Sequence, residues 1–116
     1  MSLAKLLADY NKQEYGRTII NNNDGFIMYS VHEGECFISD LYVRPEARTT
    51  ITCKKLFSEV VNIANESGCG CITANVWIPK DTDGVKQQRL LKCYLSVGFK
   101  PVGALNNNVM LRIDLL

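Results

Sequence analysis

Two side chains in this sequence could accept a proton near neutral pH, Asp40 and His32. Asp40 is the only acid inside the apolar residues 36–43, and a carboxylate buried there without a partner would have a raised pKa and could act as a general base. A strand acid is more commonly held in a salt bridge. His32 titrates near neutrality, but its place in a predicted turn is typical of a solvated histidine. The identity of a base therefore stays open.

The five cysteines could bind a metal or form disulfides. A structural zinc site needs four well-spaced ligands, whereas Cys69 and Cys71 form only a C-x-C pair, far in sequence from His32, the single histidine. We therefore predict no metal site. The odd number of cysteines, and an N-terminus that does not have the pattern of a signal peptide, favour reduced thiols and a cytoplasmic location. Most of these cysteines are predicted to be small buried residues.

Hydrophobic periodicity indicates which elements position these groups. Helical spacing of apolar residues predicts a helix from Leu3 to about Gly16, and a longer apolar stripe predicts a second helix over residues 53–64. Between them, β-prone runs at 17–20, 26–31 and 36–43 are joined by short polar turns, which predicts an antiparallel meander. Regular alternation in the third run would place Ser39 and Leu41 on one face, and Asp40 on the other.

The second half of the chain predicts a strand at residues 69–77, a helix at 85–97, and strands at 100–105 and 109–115. A helix between two strands implies a crossover, which favours parallel pairing of the strand at 36–43 with that at 71–77. The order α-βββ-α-β-α-ββ predicts an α/β fold in a single domain over residues 1–116, with one mixed sheet flanked by helices. The apolar last strand is predicted to leave a free edge that a homodimer would protect.

Composition excludes several classes of protein. The chain has 116 residues, of which 47% are hydrophobic and 22% charged, with a formal net charge of +1. That apolar content excludes disorder of the whole chain, and the near-zero charge argues against a partner bound through nucleic-acid phosphates. No apolar run approaches the ~20 residues that span a bilayer, so we predict neither a nucleic-acid nor a membrane partner.

Two segments resemble the GNAT superfamily of N-acetyltransferases. The first joins a strand to a helix and reads Asp40-Leu-Tyr-Val-Arg-Pro-Glu-Ala-Arg48; the second, Tyr94-Leu-Ser-Val-Gly-Phe99, is similar to the family's Tyr-x-x-x-Gly-Phe ending. The resemblance covers roughly residue 16 onward, without the family's usual first strand and first helix. It implies a shortened GNAT-like fold, an antiparallel meander followed by a parallel central pair.

The resemblance also implies a binding site for acetyl-CoA. In this family the cofactor's arm lies where the two parallel strands separate and pairs with strand backbone, and its pyrophosphate lies at the following helix start, which carries partial positive charge. The implied backbone ligands of the arm are Leu41, Tyr42 and Val43. The implied phosphate loop consists of Arg48, Thr49, Thr50, Ile51, Thr52 and Cys53.

That loop departs from the family's pattern, which is Arg/Gln-x-x-Gly-x-Gly/Ala. Arg48 is present, but Ile51 takes the place of the first glycine and Cys53 the place of the second small residue. A glycine allows close approach of backbone to phosphate, so Ile51 is the serious change. Thr49, Thr50 and Thr52 could instead cap the helix or donate to phosphate.

By the same resemblance, Tyr94 occupies the position of the general acid that protonates the departing CoA thiolate. A tyrosine with a pKa of about 10 is protonated at neutral pH and can donate, although a tyrosine on an inner helix face is more often a core residue. An asparagine often lies seven residues before this tyrosine in the family, and here that position is Gln87. Trp77 and the charged loop after it would lie near the amine acceptor.

The resemblance therefore predicts an acetyl-CoA-dependent N-acetyltransferase that transfers acetyl to an amine by direct attack. The acceptor would be a small molecule or a protein. The alternative is a non-catalytic GNAT-fold interaction protein that has lost cofactor binding, which the altered loop and the missing N-terminal elements favour. Arg48 and Tyr94 favour the enzyme.

Overall fold

The computed structural model describes residues 2–77 and 85–115. Its elements are α1 (Leu3–Tyr15), β1 (Thr18–Asn21), β2 (Gly25–His32), β3 (Glu35–Val43), a 3-10 turn (Pro45–Ala47), α2 (Thr50–Glu66), β4 (Cys71–Trp77), α3 (Val85–Ser96), β5 (Lys100–Leu105) and β6 (Asn108–Asp114). The predicted order of helices and strands is confirmed, with most ends shifted by one to three residues. None of the helices in the described residues is long and apolar enough to cross a membrane.

The six strands form one mixed sheet in the order β1-β2-β3-β4-β6-β5. β1, β2 and β3 form the predicted antiparallel meander, and β3 and β4 are parallel as predicted. The expectation of a free edge at the last strand is wrong. β6 is paired with β4 along its whole length, from Trp77–Asn108 to Cys71–Asp114, and with β5 on its other side, so β5 forms that edge.

A bulge in β3 overturns the predicted alternation of its side chains. Met28 of β2 pairs with Asp40, while the next residue, Tyr29, pairs with Ile38, so Ser39 is the extra residue and its hydroxyl donates to the Met28 carbonyl (3.2 Å). Such an insertion reverses the phase of all later side chains. Leu41 therefore lies on the same face as Ile38, and Asp40 on the opposite face.

The hydrophobic core lies on one face of the sheet, which we call the inner face. Helices α2 and α3 both pack on this face. The predicted stripe of α2 is confirmed as its buried side, since Cys53, Leu56, Phe57, Val60 and Ala64 are all buried. Thr49 caps the start of this helix, and Gly68, at φ +76°, follows its end. The opposite face, which we call the outer face, carries Asp40, Tyr42 and Trp77.

The predicted first helix forms, but its apolar stripe does not enter the core. Ser2 caps α1 by accepting from the Lys5 amide (3.2 Å), and Gly16 ends it in the left-handed region. The side chains of the stripe all lie exposed: Leu3, Leu6, Leu7 and Tyr10. A helix of this length is marginal in water without packing, which makes this stripe a candidate contact surface.

Candidate functional site

The parallel strands β3 and β4 separate toward their carboxyl ends. They are paired only from Glu35–Cys71 to Ile38–Ala74, although β3 continues to Val43 and β4 to Trp77. A gap therefore opens between the two strands beyond Ile38. The bulge at Ser39 lies where the separation begins, and it lets β3 stay paired with β2 while it leaves β4.

Backbone groups of β3 point into this gap. Gly25 of β2 is paired with Val43 of β3. Directly next to this pair, the amide of Arg44, which follows Val43, donates to the carbonyl of Asp24, which precedes Gly25 (2.7 Å). This is the pattern around a non-hydrogen-bonded antiparallel pair, so the N–H and C=O of Val43 point away from β2. The same holds two residues earlier at Leu41. Of the three predicted backbone ligands, Leu41 and Val43 are thus directed into the gap.

Tyr42, the third of those residues, has the opposite arrangement. Its backbone groups face β2, and its ring lies on the outer face beside Phe26, with ring centroids 5.9 Å apart. The guanidinium carbon of Arg48 lies 6.0 Å from the centroid of the Tyr42 ring. Tyr42 therefore offers a side chain, rather than backbone, to this end of the sheet.

Arg48 holds the turn after β3 against the end of that strand. Its Nε donates to the Val43 carbonyl (2.9 Å), which takes one of the two backbone groups that Val43 turns toward the gap. A guanidinium has five N–H donors, so this one bond leaves others that could bind an anion. The predicted role of Arg48 in binding phosphate stays a prediction.

The start of α2 presents backbone amides next to this gap. Thr49 accepts from the Thr52 amide (3.2 Å), and the two hydroxyl oxygens lie 3.1 Å apart. Helix geometry leaves the amides of Thr50 and Ile51 without intrahelical acceptors, and such amides bind anions at helix starts. The Ile51 side chain is 68% exposed, so it lies at the surface of this turn. The Thr50 side chain is outside the described residues.

The cysteine of the predicted phosphate loop is turned into the protein. Cys53 is 5% exposed and forms a disulfide with the partly buried Cys93 of α3, with Cα atoms 6.3 Å apart. The prediction of reduced thiols is wrong for this pair. The packing of α2 against α3 brings together two positions 40 residues apart in sequence, and nothing in their spacing signals this. Sequence reasoning therefore missed Cys93 entirely.

The other three cysteines are free and buried. Cys36, Cys69 and Cys71 lie near the amino ends of β3 and β4, away from the gap. Among residues 2–77 and 85–115, no cluster of histidine, cysteine and acidic side chains could hold a metal ion. The burial of these thiols agrees with their interpretation as small core residues.

Tyr94 lies on the buried side of α3 and is 3% exposed. Its ring packs against Phe57 and Phe99, with centroids 5.3 and 5.1 Å apart, as expected for a core tyrosine. Burial raises the pKa of Tyr94 above its usual range, and the negative charge of Asp40 raises it further. The phenol thus stays protonated at neutral pH.

The two candidate bases are both exposed. Asp40 lies on the outer face in contact with solvent, so the burial on which its predicted role depended is absent. The His32 side chain is 84% exposed, and its Nε2 lies 3.6 Å from a carboxylate oxygen of Glu33. The structure therefore leaves Asp40 on the exposed outer face of β3 and His32 on the surface hairpin.

Two predicted features fall outside the described part of the chain. The side chain of Gln87 is one, and the charged loop at residues 78–84 is the other. Trp77, the last residue of β4, is described, and its exposed ring lies on the outer face. Tyr42 and Asp40 lie on that face on the other side of the gap, so this edge of the site combines aromatic rings with a carboxylate.

Known proteins were compared with the chain by sequence and by structure. No protein-family profile matches the sequence, and no curated protein matches it significantly.

Solved structures do match. PaiA N-acetyltransferase from Thermoplasma acidophilum, in complex with coenzyme A, has a TM-score of 0.71 and 18% identity over 97% of this chain and 71% of that chain. Aminoglycoside 6'-acetyltransferase type Ii has a TM-score of 0.69 and 17% identity over 98% and 90% of the two chains. The anti-CRISPR protein AcrVA5 has a TM-score of 0.61 and 26% identity over 81% of this chain and 96% of that chain.

These similarities extend over most of this chain and include proteins of comparable length. The mixed sheet of this chain, with its parallel β3–β4 pair, agrees with the predicted architecture. The chain has the fold of the GNAT acetyltransferases.

Proposed function

We propose that this protein binds acetyl-CoA in the gap between β3 and β4 and transfers its acetyl group to a primary amine. The observation that carries the proposal is the separation of the two parallel strands beyond Ile38. It leaves strand backbone at Leu41 and Val43 without a neighbouring strand, next to a helix start. An amide-bearing arm can pair with such backbone as an added strand does.

The start of α2 supports the placement of the pyrophosphate. Two amides, those of Thr50 and Ile51, and the guanidinium of Arg48 lie close in sequence at this turn. Together they offer hydrogen bonds and positive charge to an anion. The Ile51 side chain is exposed at this turn, so it does not fill the gap between the strands.

Acetyl-CoA supplies an acyl group activated as a thioester. The amine nitrogen attacks the carbonyl carbon, a C–N bond forms, the C–S bond breaks, and CoA leaves as a thiolate. Tyr94 is the proposed donor of a hydrogen bond or proton to that sulfur, since its phenol is neutral at neutral pH. The amine loses its proton to a base, for which the candidate is Asp40, whose negative charge acts on Tyr94.

The outer face supports an amine as acceptor. Asp40, Tyr42 and Trp77 border the gap on this face. An alkylammonium ion is attracted by a carboxylate and by aromatic faces, so the three side chains would draw it toward the thioester. We propose these residues as the acceptor subsite.

The class of amine has two candidates. A small amine is favoured by the similarity to an aminoglycoside acetyltransferase that covers 90% of that chain. The other candidate is a protein amine, and the 26% identity to the anti-CRISPR protein AcrVA5 over 96% of that chain supports a role against a CRISPR system. Acetylation assays with polyamines, aminoglycosides and lysine-containing proteins would separate them, because only one class should show saturable transfer.

Isothermal titration with acetyl-CoA tests the proposal directly. We expect a one-to-one complex that weakens with salt, because the pyrophosphate is bound partly by charge. The absence of heat at millimolar acetyl-CoA would rule out the enzyme and favour the non-catalytic interaction protein.

Ile51 offers a sharper test of where the phosphate lies. We expect Ile51→Gly to tighten acetyl-CoA binding by about five- to tenfold, because backbone can then approach the phosphate more closely. Ile51→Ala is the matched control, since it removes the branched side chain but retains helix propensity, and it should give an intermediate affinity. Unchanged or weaker binding in both variants would place the phosphate elsewhere.

We also propose that the protein forms a homodimer. The candidate contact surface is the exposed apolar stripe of α1, because the last strand lies inside the sheet and has no free edge. Burial of Leu6 and Leu7 in a second copy would stabilise the helix. A monomeric mass in light scattering at high concentration would contradict this.

A further inference from the structure

The disulfide joins the two helices that carry the halves of the proposed cofactor site. Cys53 lies in the first turn of α2, and Cys93 directly precedes Tyr94 on α3. One turn after Cys53, Phe57 contacts the Tyr94 ring. The disulfide therefore links the first turn of the proposed phosphate-binding helix to the residue that precedes the proposed acid.

The remaining cysteines differ from Cys93 in access. Cys36, Cys69 and Cys71 are almost fully buried. Burial raises the pKa of Cys36 to about 12 and raises that of Cys69. The thiolate is the reactive form of cysteine, so these side chains resist oxidation. Cys93 is only partly buried, so a small disulfide can reach its sulfur.

We propose that Cys53 and Cys93 are a reversible redox site that controls the affinity of the cofactor site, an inference that rests on the proposed function. The oxidant is a low-molecular-weight disulfide such as oxidised glutathione. The Cys93 thiolate attacks it, forms a mixed disulfide and expels one glutathione thiolate; the Cys53 thiolate then attacks the Cys93 sulfur and expels the second. Two protein thiols and one small disulfide thus become one protein disulfide and two small thiols, which take up the protein's protons. Excess small thiol reverses the exchange.

The oxidised form should bind acetyl-CoA more tightly. In the reduced form α2 and α3 are held together only by side-chain packing, and ordering their junction lowers the affinity. The disulfide fixes the start of α2 relative to Tyr94 before the ligand binds. We expect an affinity about five- to tenfold higher in the oxidised state.

The test compares the full chain equilibrated with oxidised glutathione and with excess reduced glutathione. Thiol titration under denaturing conditions should give three free thiols in the oxidised form and five in the reduced form. Acetyl-CoA is the ligand for titration calorimetry, because the free thiol of CoA would itself reduce the disulfide. After each equilibration, glutathione is removed by rapid desalting so that the two titrations share one buffer.

Matched variants separate the pair from the other cysteines. Cys93→Ala, with Cys93→Ser in case alanine lowers stability, should bind acetyl-CoA like the reduced wild type under both conditions. Cys69→Ala keeps the pair and should show the wild-type response. A redox response that persists in both Cys93 variants would overturn the inference.

The outcomes for wild type distinguish this inference from the proposed function. Tighter binding in the oxidised form supports both. Equal binding in the two forms, or five free thiols after oxidation, overturns the redox inference alone. No binding in either form overturns the proposed function and the inference with it.

Discussion

At their amino ends β3 and β4 are hydrogen-bonded to each other and buried, whereas at their carboxyl ends they separate and expose backbone. The closed end contains Ile38, Ile72 and three free thiols. The open end contains the exposed Asp40, the buried Tyr94, and a turn held by Arg48. Ligands of open α/β sheets commonly bind at the carboxyl ends of strands, and here the same two strands provide a stable end and a binding end.

The difference between the two ends arises from one inserted residue and two helices. The bulge at Ser39 reverses the side-chain phase of β3 where pairing with β4 stops, and α2 and α3 then bring their side chains to the gap. If this division is correct, substitutions at the closed end should change the free energy of unfolding without changing ligand affinity. At the open end, removal of the Tyr94 hydroxyl should slow acetyl transfer with little change in the free energy of unfolding.

The largest effect is expected at the closed end. Ile72 is fully buried in the core cluster, so Ile72→Ala should lower the free energy of unfolding by about 3–4 kcal/mol, the cost of lost burial and a cavity. Urea unfolding measures this. Ile72→Val should lose about 1 kcal/mol. A loss below 1 kcal/mol for alanine, or a change in acetyl-CoA affinity of the folded fraction, would contradict the division.

Removal of the Tyr94 hydroxyl is expected to act mainly on catalysis. Tyr94→Phe keeps the ring contacts with Phe57 and Phe99, so stability should change by less than about 1 kcal/mol. Transfer should slow by about 100-fold, the lower range for loss of a general acid, with KM for acetyl-CoA little changed. Steady-state kinetics measure this, and normal turnover would remove Tyr94 as the acid. Tyr29→Phe, which removes the hydroxyl of a buried tyrosine hydrogen-bonded to Thr18, should leave kcat unchanged.

Alkaline pH should weaken the closed end through Cys36. Burial raises the pKa of this thiol from 9.0 to about 12, so the unfolded chain releases the proton at lower pH than the folded protein. The resulting stability is fully present below about pH 9 and is lost as the pH rises toward 12, by about 1.4 kcal/mol per pH unit.

Unfolding by urea between pH 9 and 11, without oxidants, checks this expectation. Cys36→Ala should make the decline of stability with pH shallower. The pKa of Tyr94 is also raised, so its ionisation in the unfolded chain should lower the free energy of unfolding further above about pH 10. Tyr94→Phe should therefore change the pH dependence of stability only in the upper part of the range. If the free energy of unfolding declines with pH equally steeply in wild type and in Cys36→Ala, the loss of stability is not caused by Cys36.

The smallest effect is expected from the helix caps. Thr49→Ala removes the acceptor of the Thr52 amide and should cost about 1 kcal/mol of stability. Ser2 caps α1 in the same way, but none of the described side chains of α1 belongs to the core, so Ser2→Ala should hardly change global unfolding. Thermal denaturation of both variants measures the difference, and equal losses would show that α1 unfolds together with the sheet.

Much of the fold could be predicted because its signals are local. The stripe from Cys53 to Ala64 identifies α2 by its period, and two left-handed residues between β5 and β6, Asn106 and Asn107, form the turn that their sequence predicts. The order of elements then restricts the sheet to a parallel central pair. The turn after β3 was also recognisable, since Arg48 and the cap at Thr49 lie within a short segment.

Other features could not be predicted because they depend on contacts between distant segments. The bulge at Ser39 is decided by how β3 pairs with β2, and the exposure of Asp40 follows from it. The pairing of Cys53 with Cys93 depends on how α2 packs on α3. Local patterns such as period, turns and caps were therefore determined by the sequence alone. The gap, the burial of Tyr94 and the disulfide were decided by tertiary packing, because each needs atoms that only the folded chain brings together.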